Sequence, residues 1–432
     1  MTDVLDLPLT ALQGDRTSAE VSSYLEVCGA DDRTLREMKF LADSISVDSD
    51  PKVAALDIKR DLRRSGFVYV PETFRPQDVL SRKGGNCVGL PFLIASIMYL
   101  KGYSAGFRCQ TGVKDACSDV EVEGEMGHFE LATSQKKSPL GKYASLEHMI
   151  LDVDRFPIEC TAADWEPSKC EREVRISYSQ GLSCVIQSIA SDATHDGHLG
   201  KARELTDKGL TLWPDNRSLH LLSSFIAEAS FDDDSYIKSI EAFKRIGGGD
   251  SSFHHTMFHL TGVQSHLGDA LYHYPALARA VADQAELLVK SDPLKAECLF
   301  VSASHMFSDS SAMKLAAFYI DHAQPLAKVF GRRKIFKILS SFSKSDVSDG
   351  EFYWSDFHYH SAMFKLSGKH KHLSEMRESC DTPYQRLAFV ELSKGTPLHD
   401  PREERFLDGE FGNSVLYQRA KKSFEKSSRG YS

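Results

Sequence analysis

From about Tyr178 to the end of the chain, no stretch alternates apolar and polar residues with the period of two that a half-buried strand needs; apolar positions recur instead at helical spacing. This restricts the C-terminal part to helices packed on helices. Residues 199–216 are the most informative stretch. Ala202, Leu205, Gly209, Leu210 and Leu212 lead into Trp213, Pro214 and Asp215, so small residues sit where a neighbouring helix would cross, and a proline ends the helix. Residues 218–229 and 235–245 make the next pair, stopped by Gly247, Gly248 and Gly249. Residues 274–291, 293–307, 311–330 and 384–392 keep the rhythm of paired helices.

The 199–216 pattern resembles the second helix of a tetratricopeptide repeat, which implies an α-helical array over residues 178–432. Residues 1–50 read as a short helical extension. Residues 51–177 read differently: a helix over 52–65 stopped by Gly66, an extended stretch over 67–74, a short helical turn at 76–80, a glycine elbow at Gly84 and Gly85, and an apolar helix from Cys87 to Leu100. The β-rich segments 104–112, 127–133, 148–153 and 156–161 follow. The expected fold class is α+β: an N-terminal core in which a helix packs on a small antiparallel sheet, then the helical array.

A formal net charge of -9 disfavours nucleic acid or an anionic membrane as the main partner, since both need a basic surface. No apolar run is long enough to span a bilayer. Residues 1–15 show no secretory signal pattern, and nine cysteines without a repeating frame fit reduced thiols; both point to a cytoplasmic protein.

The chemistry is concentrated around Gly84-Gly85-Asn86-Cys87. A cysteine at a helix N-terminus has its thiolate stabilised by unpaired backbone N–H groups and the helix dipole, and the thiolate is the nucleophile. The glycines would let a substrate backbone approach, and Asn86 and Gln77 are candidate oxyanion donors. On this local pattern a buried structural cysteine fits as well.

The order of elements narrows the choice. Tyr69 after a helix, Asp78-Val79-Leu80, Arg82, Gly84-Gly85, Cys87, an apolar helix ending in Lys101-Gly102-Tyr103, and then a strand together resemble the transglutaminase-like superfamily, whose geometry is similar to that of papain-type proteases. The resemblance implies a Cys-His-acid triad: Cys87 as nucleophile, His148 as base and Glu159 as its orienting acid. Glu159 stands where the family usually has Asp, and Cys160 where it usually has Pro. His128, within Gly127-His128-Phe129, competes for the role of base, and Asp152 for that of acid.

The histidine and cysteine spacings show no CxxC pair and no HExxH, so the expectation is no metal and no cofactor; His255 and His259 share a helix face but lack an adjacent carboxylate. Two functions follow from the residues. One is cysteine-dependent acyl transfer on amide bonds, of protease, deamidase or transglutaminase type, with the helical array holding a protein or peptide substrate. The other is a catalytically silent scaffold that binds protein partners.

Overall fold

The computed structural model describes residues 16–47, 50–70, 73–85, 89–103, 105–113, 148–153, 156–158, 170–247, 251–273, 278–310, 312–342 and 356–428. The chain divides into two compact units, Met1–Ile189 with Thr211–Pro214, and Ala190–Leu210 with Asp215–Ser432.

In the first unit, α1 (Arg16–Val27), α2 (Asp32–Ser44), α3 (Pro51–Arg64) and α4 (Pro76–Arg82) surround α5 (Gly89–Leu100). Helix α2 starts where the Asp31 side chain accepts a hydrogen bond from the Thr34 N–H at 2.9 Å. Ten consecutive residues of α5, from Gly89 to Met98, are buried, so it is a core helix and not an amphipathic surface helix. Phe92 is its centre. The ring lies 4.7 Å from Tyr24, 4.6 Å from Phe107 and 5.3 Å from Tyr178, centroid to centroid. Residues 1–50 were expected as a helical extension, and α1 and α2 are helices; α1 supplies Tyr24 to this cluster.

Strands β1 (Val68–Tyr69) and β2 (Gly84–Gly85) pair in parallel. Strands β3 (Gly106–Val113), β4 (His148–Val153), β5 (Phe156–Ile158) and β6 (Cys170–Ile176) are antiparallel in the order β5-β4-β3-β6.

The second unit is helical throughout its described residues. Helix α6 (Tyr178–His195) crosses the boundary between the units, and the next helices are α7 (Leu199–Leu212), α8 (Arg217–Ala229), α9 (Asp233–Ile246), α10 (Ser251–Thr261) and α11 (Gln264–His273). Then come α12 (Ala278–Leu288), α13 (Pro293–Ser310), α14 (Ala312–Asp321), α15 (Ala323–Phe330) and α16 (Arg332–Leu339). The last five are α17 (Asp356–Ser367), α18 (His370–Glu378), α19 (Pro383–Ser393), α20 (Pro401–Phe411) and α21 (Val415–Ser428). Neighbours in sequence pack as hairpins: α8 on α9, α10 on α11, α12 on α13, α17 on α18. Ala202 and Gly209, the small residues on α7, are buried.

The C-terminal helices return to α8 and α9. Phe231, just after α8, is buried among Leu387, Tyr417 and Leu416, and the Asp233 carboxylate accepts from the N–H groups of Val415 and Leu416 at 2.7 and 3.0 Å and from the Ser414 hydroxyl at 3.0 Å. A side chain at the start of α9 therefore satisfies the first N–H groups of α21.

The α+β class expected from sequence does not hold. Among the described residues 21 helices dominate and the strands hold only a small share, so the protein is mostly helical. The β-like composition of residues 104–161 weighed too heavily in that expectation. Helices fill most of the chain before it, just as they fill the described chain after Tyr178. No described helix is long and apolar enough to cross a membrane.

Candidate functional site

The expected catalytic residues are placed unequally. Asn86, Cys87, His128 and Glu159 lie outside the described residues. His148 opens β4 in register with Gln110, and Asp152 pairs with Gly106. Helix α5, which begins two residues after Cys87, packs against β4.

The glycine elbow has a structural cause. A Cβ on Gly84 would stand 2.4 Å from Val70 Cγ2 and 2.7 Å from the Val68 carbonyl oxygen, and one on Gly89 would stand 2.7 Å from the Thr73 carbonyl oxygen. These glycines admit the protein's own backbone, in place of the substrate approach expected from sequence. Gln77, the second oxyanion candidate, donates from Nε2 to the Cys28 carbonyl at 3.4 Å, while its Oε1 is buried and finds no hydrogen-bond partner among the described residues.

The second unit contains a cavity of about 250 Å³. Thr194 comes from the last turn of α6, Gly197 from the α6–α7 connection, Phe225 and Glu228 from α8, His358 from α17, and Tyr384 from α19. The cavity forms where helices distant in sequence meet, so no local motif announces it. Its rim is held by a capping box: Gln385 Oε1 accepts from the N–H groups of Asp381 and Thr382, both at 2.9 Å, and Thr382 Oγ1 accepts from the Gln385 N–H at 3.2 Å. Pro383 occupies the first helical turn, where its missing N–H costs nothing.

Burial controls the ionisable groups in the wall. It pushes the Glu228 carboxyl up, opposed by Arg419, and pushes the Tyr384 hydroxyl up to about 12, helped by Glu228. Burial, then the Lys365 ammonium, brings the His358 imidazole down to about 4. His358 is therefore neutral in the folded protein at pH 7. The unfolded chain binds its proton near pH 6.5 and the folded chain only near 4, so the stability this group contributes is complete above pH 6.5 and is lost as the pH falls towards 4. At pH 5 the loss is about 2 kcal/mol. Urea unfolding at pH 7.5 and 5 measures it: the drop in the wild type should exceed that of His358→Phe by about this amount.

An internal duplication escaped the sequence reading. His254, Met257, Phe258, Leu260, Gly262, His266 and Leu267 recur, at the same spacings, as His360, Met363, Phe364, Leu366, Gly368, His372 and Leu373. The two hairpins, α10–α11 and α17–α18, match in detail. Gly262 and Gly368 both have φ of +68°, and their N–H groups reach the Phe258 and Phe364 carbonyls at 2.7 and 2.8 Å. Thr261 and Ser367 hydroxyls donate to the Met257 and Met363 carbonyls at 2.6 and 2.7 Å. His254 and His266 meet Nδ1 to Nδ1 at 3.1 Å, and so do His360 and His372. Such a pair needs one ring as donor and the other as acceptor, so it closes each hairpin only while at least one histidine is neutral. Comparing the chain with itself at long offset would have shown this; helical periodicity alone cannot.

Comparison with protein-family models, curated proteins and solved structures gave no match.

Proposed function

We propose that the protein is a binding protein whose helical unit takes a lysine or arginine side chain of a protein partner into the cavity between α8, α17 and α19. The observation that carries this is the Glu228 carboxylate, half-buried in the wall of a mostly apolar cavity. An alkyl stem with a cationic head fits such a place: the stem covers apolar wall and the head pairs with the carboxylate. The formal net charge of -9 favours a basic partner for the same reason, at longer range. Glu228→Gln keeps the shape and removes the charge. Immobilised peptides carrying lysine, and the same peptides with norleucine in its place, provide the assay. The wild type should prefer lysine, and Glu228→Gln should bind the lysine peptides about tenfold or more weakly, as expected for a partly desolvated ion pair. Equal binding of lysine and norleucine peptides by the wild type would remove the basis of the proposal.

Cysteine-dependent acyl transfer by Cys87 is the second reading. Its support is the packing of α5, which begins just after Cys87, against β4, which begins at His148. An activated thiol at Cys87 would react with iodoacetamide well below the pH range of an ordinary cysteine, and Cys87→Ala would abolish that reaction. A Cys87 that alkylates only near an ordinary thiol pKa leaves the binding protein alone.

A further inference from the structure

The duplicated hairpins differ at two positions that matter chemically. His255 and His259, one turn apart on α10, correspond to Ser361 and Lys365 on α17. The hairpin forms in both copies, so its packing does not require these two histidines. The His254–His266 pair, present in both, is the structural one.

In the first copy α12 supplies what the sequence lacked, a carboxylate facing both rings. Asp283 Oδ2 lies 2.7 Å from His255 Nε2 and 3.0 Å from His259 Nε2, and the two Nε2 atoms are 3.2 Å apart. Three ligand atoms thus converge in a near-equilateral triangle. Hydrogen bonding alone accounts for this poorly, because two rings that both donate to one carboxylate oxygen must bring their own N–H groups face to face. A cation among the three lets each present a lone pair. Around zinc, with bonds of about 2.0–2.1 Å and tetrahedral angles, ligand atoms stand roughly 3.3 Å apart. The longest side of the triangle already matches this spacing, and its shortest must open by about 0.6 Å.

We propose that His255, His259 and Asp283 bind one divalent transition-metal ion of the zinc class, with the fourth position open. The side chains of His255 and Asp283 are 13% and 12% exposed while that of His259 is 54% exposed, so the triangle is walled on the protein side and reachable from solvent past His259. Two imidazole nitrogens and a carboxylate oxygen are donors of the kind this class of ion takes.

The surroundings add donors. Glu286, one turn beyond Asp283 on α12, lies 3.2 Å from His322 Nδ1, and the ligand atoms of Asp283, Glu286 and His322 lie within 4.8 Å of one another. Two His and one carboxylate with an open position make a donor set that zinc shares with other first-row divalent ions, which bind it in the usual order of affinities.

The full chain, stripped with a chelator and dialysed, is titrated with Co²⁺ and with Zn²⁺ against a chromophoric zinc chelator, and its metal content is read by atomic emission. The expected results are one equivalent of tightly held zinc per chain, and visible Co²⁺ d–d bands of tetrahedral intensity that zinc bleaches. His259→Ala and Asp283→Asn should each weaken zinc binding by about 100-fold or more, since even outer-shell changes cost 10–100-fold. Exposed His370→Ala, a control for adventitious surface binding, should leave it unchanged. Far-UV circular dichroism establishes that each variant is folded. A wild-type chain without Co²⁺ bands overturns the site whatever the variants do, and so does a folded His259→Ala protein that retains wild-type affinity.

Discussion

Replacing Phe92 by alanine should destabilise the N-terminal unit by about 3–5 kcal/mol, the range for removing a large aromatic side chain from a packed core. The ring is fully buried and touches aromatic side chains from three other elements: Tyr24 of α1, Phe107 of β3 and Tyr178 of α6. Two features limit collapse into the gap. The Tyr24 hydroxyl is tied to the Phe74 carbonyl at 2.9 Å, and the Tyr178 and Ser96 hydroxyls lie 3.2 Å apart, so neither neighbour is free to swing in. Gly181 already brings backbone close to these rings; a Cβ there would stand 2.5 Å from the Phe107 ring and 3.2 Å from that of Phe92. Phe92→Leu should recover about half of the loss, because it restores much of the buried area without the ring contacts. Guanidinium unfolding followed by near-ultraviolet circular dichroism measures both. A Phe92→Ala change below about 1 kcal/mol would show that this cluster is not the core of the unit.

The helices were legible where the sequence carries local signals. Pro214 after Trp213, the small residues Ala202 and Gly209, and Gly66 and Gly247 at helix ends are local signals of this kind. The class was misjudged because β-like composition is a context-dependent signal: Val, Ile and aromatic residues suit any half-buried surface, and the segments between 104 and 161 were given more weight than the helices on either side of them.

The candidate sites were legible to a different degree. Gly84 and Gly85 were recognised as positions that need close approach, but what approaches is Val68, Val70 and Thr73. His255 and His259 were seen to share a helix face and were set aside for want of a carboxylate. Asp283 stands two helices further along, and only the packing of the α10–α11 hairpin beside α12 brings it to them. The same holds for Glu228 and His358, which line one cavity from helices well over a hundred residues apart. Motif spacing reports a site when one element carries it. It is silent when the site is assembled from several.

Gly197→Ala should cost about 3 kcal/mol and should also weaken whatever the cavity binds, because this glycine sits where the cavity closes. Two separable causes act on it. Its φ of +73° lies in the left-handed region, which costs a non-glycine residue about 1 kcal/mol or more. A Cβ there would also stand 2.5 Å from the Asp381 Cβ, an overlap whose relief moves the α18–α19 turn and adds about 1–3 kcal/mol. Asp381→Gly removes the second cause and leaves the first. In the double variant Gly197→Ala, Asp381→Gly the loss relative to Asp381→Gly alone should therefore shrink to about 1 kcal/mol. Thermal and urea unfolding of the four proteins completes the cycle. Additive effects would mean that the two turns do not touch, and the cavity that depends on their contact would lose its closed side. If the coupling is present, peptide binding should fall with Gly197→Ala and recover in the double variant, since Glu228 itself is untouched and only the wall opposite it has moved.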